Sequence, residues 1–296
     1  MRSFGTPLAR LLFLFGTLYA AFGVQSPYLP SLLQSRNLLP QAIALVLAAG
    51  TAVRLLAGPA AGRLADRLDA PKAIFCVCGA AAALIALGYL PARSLWLLFL
   101  VGVLHSAALA PLAPLSDTFA LGTAAPARTV QPDARGFHYG WVRGAGSAAF
   151  IVGSVLSGQA IGQFGVAVTV WLNAALLAAA AFAGRAAPVL LPTQRPAPLT
   201  IGKRDVHGVG ALLRLPLYRR IVLVAALIFG SHAMHDSFAV IRWESAGISP
   251  ATAGLLWSLS VAAEVIVFLI IGRPLLDRLG PASRRCSPPS LASSAG

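Results

Sequence analysis

Eight apolar segments, each close to the length of a membrane-spanning helix, alternate with short polar connections along the chain. A helix that crosses a bilayer needs about 20 apolar residues, so each segment predicts one span. The first segment continues to Leu29, which favours an uncleaved first span over a signal peptide. The predicted spans are residues 8–30, 39–61, 73–91, 94–116, 140–162, 165–184, 219–241 and 250–271.

The composition agrees with a chain that lies mostly within a bilayer. Hydrophobic residues make up 57% of it and charged residues 11%, whereas soluble domains are about 25% charged. The net charge of +14 does not indicate nucleic acid, because the basic residues lie in the connections between apolar segments. No soluble-enzyme or cofactor motif is present in the sequence. We predict an all-α polytopic membrane protein, not an enzyme, with the lipid bilayer as partner and no nucleic acid or cofactor.

The Lys and Arg residues predict the orientation, because cytoplasmic connections are enriched in them. With the N-terminus inside, nineteen of the 23 fall in inside segments and Arg54 falls within a span. The three in outside loops are Arg36, Arg93 and Arg242. The expected location is the inner (cytoplasmic) membrane, with a cytoplasmic N-terminus.

The longest connection, residues 185–218, is Pro-rich and basic and follows the sixth span. Six spans, a long inside linker and further spans outline a transporter built from two halves. The predicted division is a six-span half (1–184), the linker (185–218), the start of a second half (219–280) and a polar tail (281–296). A weak internal repeat supports it: residues 39–68 align with 248–279, which places Arg54 opposite Glu264.

The stretch "GRLADRLDAPK" (62–72) resembles the signature loop of the major facilitator superfamily, with Asp69 where the second glycine is usual. The resemblance implies the major facilitator fold, here a complete six-helix half plus about two helices of the second half. It also implies a gating role for this loop. The loop residues that carry the resemblance most directly are Gly62, Asp66 and Arg67.

A narrower resemblance links "RGFHYGWVRGAGSAAF" (135–150), "PLSD" (114–117) and residues 231–265 to phenylpropionate-permease-like members. It implies a proton-coupled importer of a small, often aromatic carboxylate, with sugars or nucleosides as alternative substrates. Asp117, Tyr139 and Arg143 join the expected gating residues. For Asp117 we expect a salt bridge with Arg135 or Arg143.

Ionisable residues within spans are costly and are therefore functional candidates. Glu264, flanked by apolar residues in the eighth span, is a candidate for proton coupling; a structural pair with Arg54 or Arg143 is the alternative. In the seventh span, His232 and Asp236 share one helix face, with His235 adjacent to it. His232 is expected in proton coupling, and His235 and Asp236 in substrate binding. The three have metal-ligand spacing, but no further ligand accompanies them, so no metal is predicted.

Four further residues are candidates for substrate contacts. His105 lies in the middle of the fourth span, and Gln25 and Tyr28 lie in the outer part of the first. Arg54 would anchor a carboxylate or pair internally. Hydrogen bonds between helices are the alternative role for Gln25, Tyr28 and His105.

The polar tail changes the expected function. A complete superfamily member has twelve spans, whereas "PASRRCSPPSLASSAG" (281–296) follows the eighth here. We expect a frameshift or an interrupted gene; a genuinely shortened protein is the alternative. Two functions follow: a proton-coupled symporter of a small organic solute, or a non-transporting membrane remnant or interaction protein.

Overall fold

The computed structural model describes residues 6–124, 139–188, 213–267 and residue 270. Ten α-helices account for most of these residues, and the described ranges contain no strand, which confirms the all-α class. The helices are α1 (Pro7–Gln25), α2 (Leu29–Gln34), α3 (Pro40–Arg67), α4 (Pro71–Leu87), α5 (Leu95–Leu109), α6 (Leu112–Ala124), α7 (Tyr139–Phe164), α8 (Val168–Arg185), α9 (Pro216–Ser245) and α10 (Pro250–Ile266).

The helices correspond to the eight predicted spans. Two shorter apolar helices, α4 and α10, occupy the third and eighth positions. The fourth span is divided at Ala110–Pro111 into α5 and α6, because a proline has no N–H for the helical ladder. Among the described residues, six stretches are long and apolar enough to cross a membrane: Pro7–Gln25, Pro40–Arg67, Leu95–Thr123, Tyr139–Phe164, Val168–Arg185 and Pro216–Ser245.

Some predictions fall outside the described residues. They concern the interior of the linker (189–212), Arg135, the residues of the eighth span beyond Val267 other than Ile270, and the tail (281–296).

Proline opens both helices of the proposed repeat. Pro40 begins α3 and Pro250 begins α10, at the helical position where the missing N–H has no intrahelical partner. The hydroxyl of Ser249 caps α10 by accepting from the backbone N–H of Thr252 at 3.2 Å. Local sequence therefore sets where each of these two helices starts.

Helix α3 ends within the signature loop, in a tight turn at Asp69. Its φ of +47° is left-handed, a conformation that glycine adopts freely and that aspartate tolerates better than most residues. The N–H of Ala70 donates to the carbonyl of Ala65 at 3.0 Å and that of Asp69 to Asp66 at 3.3 Å, which closes α3. Asp69 thus occupies a backbone position that suits the glycine it replaces in the resemblance.

Helix α1 lies at the centre of the first six spans, against α7 and α8. Small residues allow the close approach to α7. A Cβ at Gly153 would lie 2.5 Å from the carbonyl oxygen of Ala20, and one at Gly23 would clash with the carbonyl of Phe150. Buried side chains of α1, α4, α6, α7 and α8 form the core, among them Leu11, Leu14, Phe15, Phe75, Phe119, Val142 and Leu177.

Helices α9 and α10 differ in how much of their length packs against the first six spans. Helix α10 packs along α7, where the hydroxyl of Ser258 donates to the carbonyl of Ile151 at 3.3 Å. Helix α9 contacts α2 and α10 near one end only, and Ala239 and Val240 are its buried residues. Most apolar side chains of α9 are therefore exposed.

Candidate functional site

A polar group lies where α1, α3 and α5 meet, and we call it the His105 cluster: Gln25, Arg54, Tyr89 and His105. Gln25 ends α1, Tyr89 follows α4, and His105 lies on α5 with 1% of its surface exposed. The amide nitrogen of Gln25 lies 3.2 Å from Nδ1 of His105. The ring of Tyr89 meets the imidazole edge-on, with 5.8 Å between centroids. Sequence reasoning identified three of the four and missed Tyr89.

The hydrogen bond defines the protonation pattern of His105. An amide nitrogen donates and does not accept, so Nδ1 of the imidazole is the acceptor. A neutral imidazole then carries its proton on Nε2. This Nε2 is buried and has no partner among the described residues. An unpaired buried donor costs about 1–3 kcal/mol, and a ligand that accepts a hydrogen bond would remove that cost.

Arg54 gives the cluster a positive charge. It interacts electrostatically with His105 and Tyr89, and its side chain is exposed on the described chain. A cation in a membrane span is stable only where it faces a partner or a polar cavity. A guanidinium and an unpaired imidazole N–H in one cluster form a donor set that suits a carboxylate.

A small cavity lies next to the cluster. Its volume is about 10 Å³, and its polar lining comes from Gln25, Tyr89, Thr169 and Asn173. That is close to the space one water molecule needs. The amide nitrogen of Asn173 donates to the carbonyl of Ala21 at 2.9 Å, while its Oδ1 is buried without a partner. Sequence reasoning missed Asn173, although a single asparagine in the apolar sixth span was a usable signal.

A second polar group, the Arg143 cluster, joins α1, α6 and α7 through Tyr19, Asp117, Tyr139 and Arg143. The hydroxyl of Tyr139 donates to Oδ1 of Asp117 at 2.8 Å. The guanidinium of Arg143 donates to the hydroxyl of Tyr19 and lies 4.8 Å from the centre of its ring. Three predicted gating residues thus lie together. The predicted salt bridge between Asp117 and Arg143 is absent from the described residues, because Asp117 accepts from Tyr139 and Arg143 donates to Tyr19. Arg135, the other predicted partner of Asp117, lies outside the described residues.

The signature residues lie at the end of α3. Gly62 and Asp66 line a cavity of about 460 Å³. Arg67 is the last residue of α3 and is exposed. The rest of the cavity lining comes from the same helix and from the start of α4 and the α5–α6 break: Gly58, Ala65, Pro71, Pro111, Pro114, Leu115, Thr118 and Phe119.

The predicted residues of α9 are exposed. His232 makes its hydrogen bonds within α9, with Nδ1 at 2.8 Å from the carbonyl oxygen of Ile228. The ring of His235 stacks on that of Trp257 with 5.6 Å between centroids, and its Nδ1 lies 3.4 Å from Oδ1 of Asp236. Within the described ranges, none of the hydrogen bonds, ion pairs or ring contacts of these groups reaches the His105 cluster. Their roles stay predictions, as does the site as a whole.

Glu264 lies two turns from the Trp257 contact, on an exposed part of α10. Within the described part of the chain it forms no ion pair with Arg54 or Arg143. The structural pair considered as an alternative role is therefore not made in this conformation.

Tyr28 is fully buried, in a cluster that includes Trp257 and Val240. Its hydroxyl donates to the carbonyl of Pro250 at 3.0 Å, which ties the start of α2 to the start of α10. In this conformation the hydroxyl bridges helices; its predicted contact with substrate is untested.

The geometry defines a class: an all-α polytopic membrane protein with a six-span bundle, two further helices and polar clusters buried between spans. The solved structures it resembles share that architecture. The nucleoside transporter NupG superposes with a TM-score of 0.74 at 17% identity, over 93% of this chain and 69% of that one. A second NupG structure gives 0.70 over the same shares. At this identity the likeness establishes the major facilitator fold.

The family follows from sequence. The chain belongs to the MFS_1 like family, whose model matches residues 6–283. This kinship confirms the family and fold predicted from the signature loop, and it places the chain in a family of transporters rather than enzymes.

Two curated relatives are similar over most of the chain. One is the probable 3-phenylpropionic acid transporter of Escherichia coli (strain K12), 30% identical over 277 residues, which are 92% of this chain and 66% of that protein. The other is the maltose permease of Geobacillus stearothermophilus, 29% identical over 265 residues, which are 89% of this chain and 63% of that protein. The chain thus spans just under two thirds of the length of these relatives.

Proposed function

We propose that the protein is a secondary active transporter of the inner membrane that carries a small aromatic carboxylate, such as a phenylpropionate-like acid, together with a proton. The phenylpropionate-permease-like motifs and the similarity to a probable 3-phenylpropionic acid transporter support the substrate class. Similarity to a maltose permease and the NupG fold keep sugars and nucleosides as alternative substrates.

The observation that carries the proposal is the His105 cluster. The substrate carboxylate binds at Arg54 and accepts the unpaired Nε2–H of His105, while Gln25 holds the imidazole in the tautomer that donates. Charge-assisted hydrogen bonds of this kind are about twice as strong as neutral ones. The cluster therefore recognises an acid in preference to a neutral analogue.

Proton coupling is assigned to Glu264 and His232, as the sequence predicts. Both side chains are exposed on α10 and α9 and neither is engaged in an ion pair within the described residues. His235 and Asp236 complete the substrate path from α9. The Arg143 cluster and the signature residues Gly62, Asp66 and Arg67 act as gates between the two halves.

The proposed organisation is a first half of six spans (1–184), a cytoplasmic linker (185–218) and a second half that begins at residue 219. The N-terminus is cytoplasmic. The start of α10 and the α1–α2 connection then lie at the outer face, and the signature loop lies at the inner face.

Ligand binding tests this proposal without requiring transport. The chain is purified in nanodiscs and its affinity for 3-phenylpropionate is measured by calorimetry. Arg54→Gln and His105→Leu should each weaken binding about ten-fold or more, because a charged or buried hydrogen bond is lost. Arg63→Gln, an exposed arginine on the same helix, is the matched control and should bind as the parent does.

The ligand series separates the substrate classes. 3-Phenylpropanamide has the same shape without the charge and should bind at least about ten-fold more weakly. Equal affinity for the amide and the acid, or tighter binding of maltose or a nucleoside, contradicts the aromatic carboxylate.

A second function, that of a non-transporting membrane protein, is favoured by one observation. Helix α9 exposes most of its apolar surface and contacts the first six spans near one end only. Such a helix is suited to pairing with other membrane helices. Under this function the purified chain binds none of the acids above.

A further inference from the structure

The α1–α2 connection, α2, α9 and α10 meet near the turn that joins α9 to α10. We call the contact of Tyr28, Ser31, Glu244 and Pro250 at this point the Tyr28 latch. Tyr28, between α1 and α2, donates its hydroxyl hydrogen to the carbonyl of Pro250. The hydroxyl occupies a notch where Gly158 of α7 and Gly254 of α10 leave no side chain. Any Cβ at those two glycines would collide with it.

Glu244 is the acidic group of the latch. It lies in the last turn of α9 and is half-buried. It interacts electrostatically with Tyr28 and approaches the hydroxyl of Ser31. That hydroxyl is buried and makes no well-formed hydrogen bond to the described residues. Glu244 therefore lies in the neighbourhood of two hydroxyl groups: that of Tyr28, which donates to Pro250, and that of Ser31, which has no partner among the described residues.

Few other charged groups lie around Glu244. Tyr28 is the titratable group that faces Glu244 from the α1–α2 connection, and α2 itself has no charged residue. The charged residues of α7, α8 and α10 (Arg143, Arg185 and Glu264) lie at or towards the opposite ends of those helices. On α9, Arg242 is exposed and His235 stacks on Trp257. Arg36 donates to the carbonyls of Tyr89 and Leu90.

No cation neutralises this carboxyl in the described part of the chain. Within residues 6–124, 139–188 and 213–267, no basic nitrogen lies within 4.0 Å of the Glu244 oxygens. A half-buried carboxylate without a cation depends on hydroxyl donors for its hydrogen bonds.

We propose that Glu244 is a proton-operated switch of the Tyr28 latch. With Glu244 protonated, the carboxyl donates to Ser31 and the Tyr28 hydroxyl stays on Pro250, which holds α10 against the first six spans. With Glu244 ionised, the carboxylate competes for the Tyr28 hydroxyl, because a charged acceptor forms the stronger bond. The hydroxyl then leaves Pro250, and this end of the bundle opens.

The direction of the switch suits a proton symporter, and in this respect alone the inference rests on the proposed function. A proton that arrives from the outer face closes the outer end around its cargo. Closure follows protonation of the carboxyl, so the latch is closed at low pH and opens as the pH rises.

The test measures a distance. The full chain, with Cys76, Cys78 and Cys286 changed to serine, is spin-labelled at Gln34 and Leu255, which are exposed on α2 and α10. Distance distributions are recorded in nanodiscs at about pH 4 and about pH 8, below and above the pKa of an ordinary glutamate carboxyl. The ratio of long to short distances should rise about five-fold at the higher pH, the effect of one neutral hydrogen bond.

Two variants test whether the pH-dependent change in distance is due to Glu244 and Tyr28. Glu244→Gln should keep the short distance at both pH values, whereas Tyr28→Phe should show the long distance at both. Arg242→Gln, an exposed residue two positions before Glu244 on α9, is the control and should show the same pH response as the parent. If Glu244→Gln folds poorly, Glu244→Asp replaces it and should shift the midpoint of the transition.

The proposal is overturned if the parent gives the same distribution at both pH values or if Glu244→Gln retains the pH response. The readout does not involve transport. A chain that fails to carry any acid still reports on the latch, so failure of the proposed function and failure of this inference are distinguishable.

Discussion

At the scale of single residues, polar side chains in this protein act mainly as donors to carbonyls or to one another across helices. The hydroxyl of Ser157 donates to the carbonyl of Val24 at 3.2 Å, and Asn173 donates to Ala21. Interhelical hydrogen bonds in membrane proteins contribute modestly, about 0.6 kcal/mol on average. Buried polar atoms without a hydrogen-bond partner, such as Nε2 of His105, are therefore more informative about function than those that have a partner.

Asn173 provides a test of this view. Asn173→Ala removes the bond to the Ala21 carbonyl and should lower the free energy of unfolding by about 1 kcal/mol. The measurement is reversible unfolding in mixed micelles, followed by helical circular dichroism. Gln163→Ala, an exposed amide at the end of α7, is the matched control and should change stability by less than about 0.5 kcal/mol. Equal effects of the two changes contradict a stabilising role for the buried amide.

The candidate residues were predictable one at a time, but their groupings were not. Gln25, Arg54 and His105 stand out because each interrupts an apolar run. Tyr89 does not, since a tyrosine at a span edge is common at membrane interfaces. Glu244 was missed because a charged residue beside a loop is ordinary and does not indicate a site. The Tyr28–Pro250 bond joins residues 222 positions apart, and no local pattern encodes such a pairing.

At the scale of elements, glycine and serine set how closely the helices approach. Helix α7 packs on α1 through Gly153 and on α10 through Gly158, so one helix carries both contacts. The sequence "GSVLSGQAIG" (153–162) has the spacing of a small-residue packing face. Its partners depend on tertiary structure, because the same stripe would serve any helix brought beside it.

The α1–α7 crossing provides the second test. Gly153→Leu places a side chain against the backbone of Ala20 and should destabilise the chain by about 1–3 kcal/mol, as overpacking does. Gly162→Leu lies on the same helix with nothing within 4 Å of the added Cβ and should be neutral or slightly stabilising. Thermal unfolding in detergent compares the two; a greater loss in Gly162→Leu would contradict the packing described here.

At the scale of the whole molecule, the first six spans form a packed bundle, whereas α9 and α10 are attached through few elements. Hydrophobic pattern and positive charge predict the number and order of the spans, because bilayer thickness and backbone hydrogen bonding leave little choice of structure. They do not determine which helices pack together. Helix α10 packs along α7, whereas α9 meets α2 and α10 near one end, and hydropathy does not specify either pairing.

Proton-driven uptake into proteoliposomes tests the central claim most directly. The purified chain is reconstituted with an imposed pH gradient, acid outside, and labelled 3-phenylpropionate is followed. The account predicts accumulation that collapses with a protonophore and falls at least about ten-fold in Glu264→Gln and in His105→Leu. Leakage equal to that of empty vesicles, from a chain shown by circular dichroism to be folded, would contradict transport and leave the non-transporting membrane protein as the function.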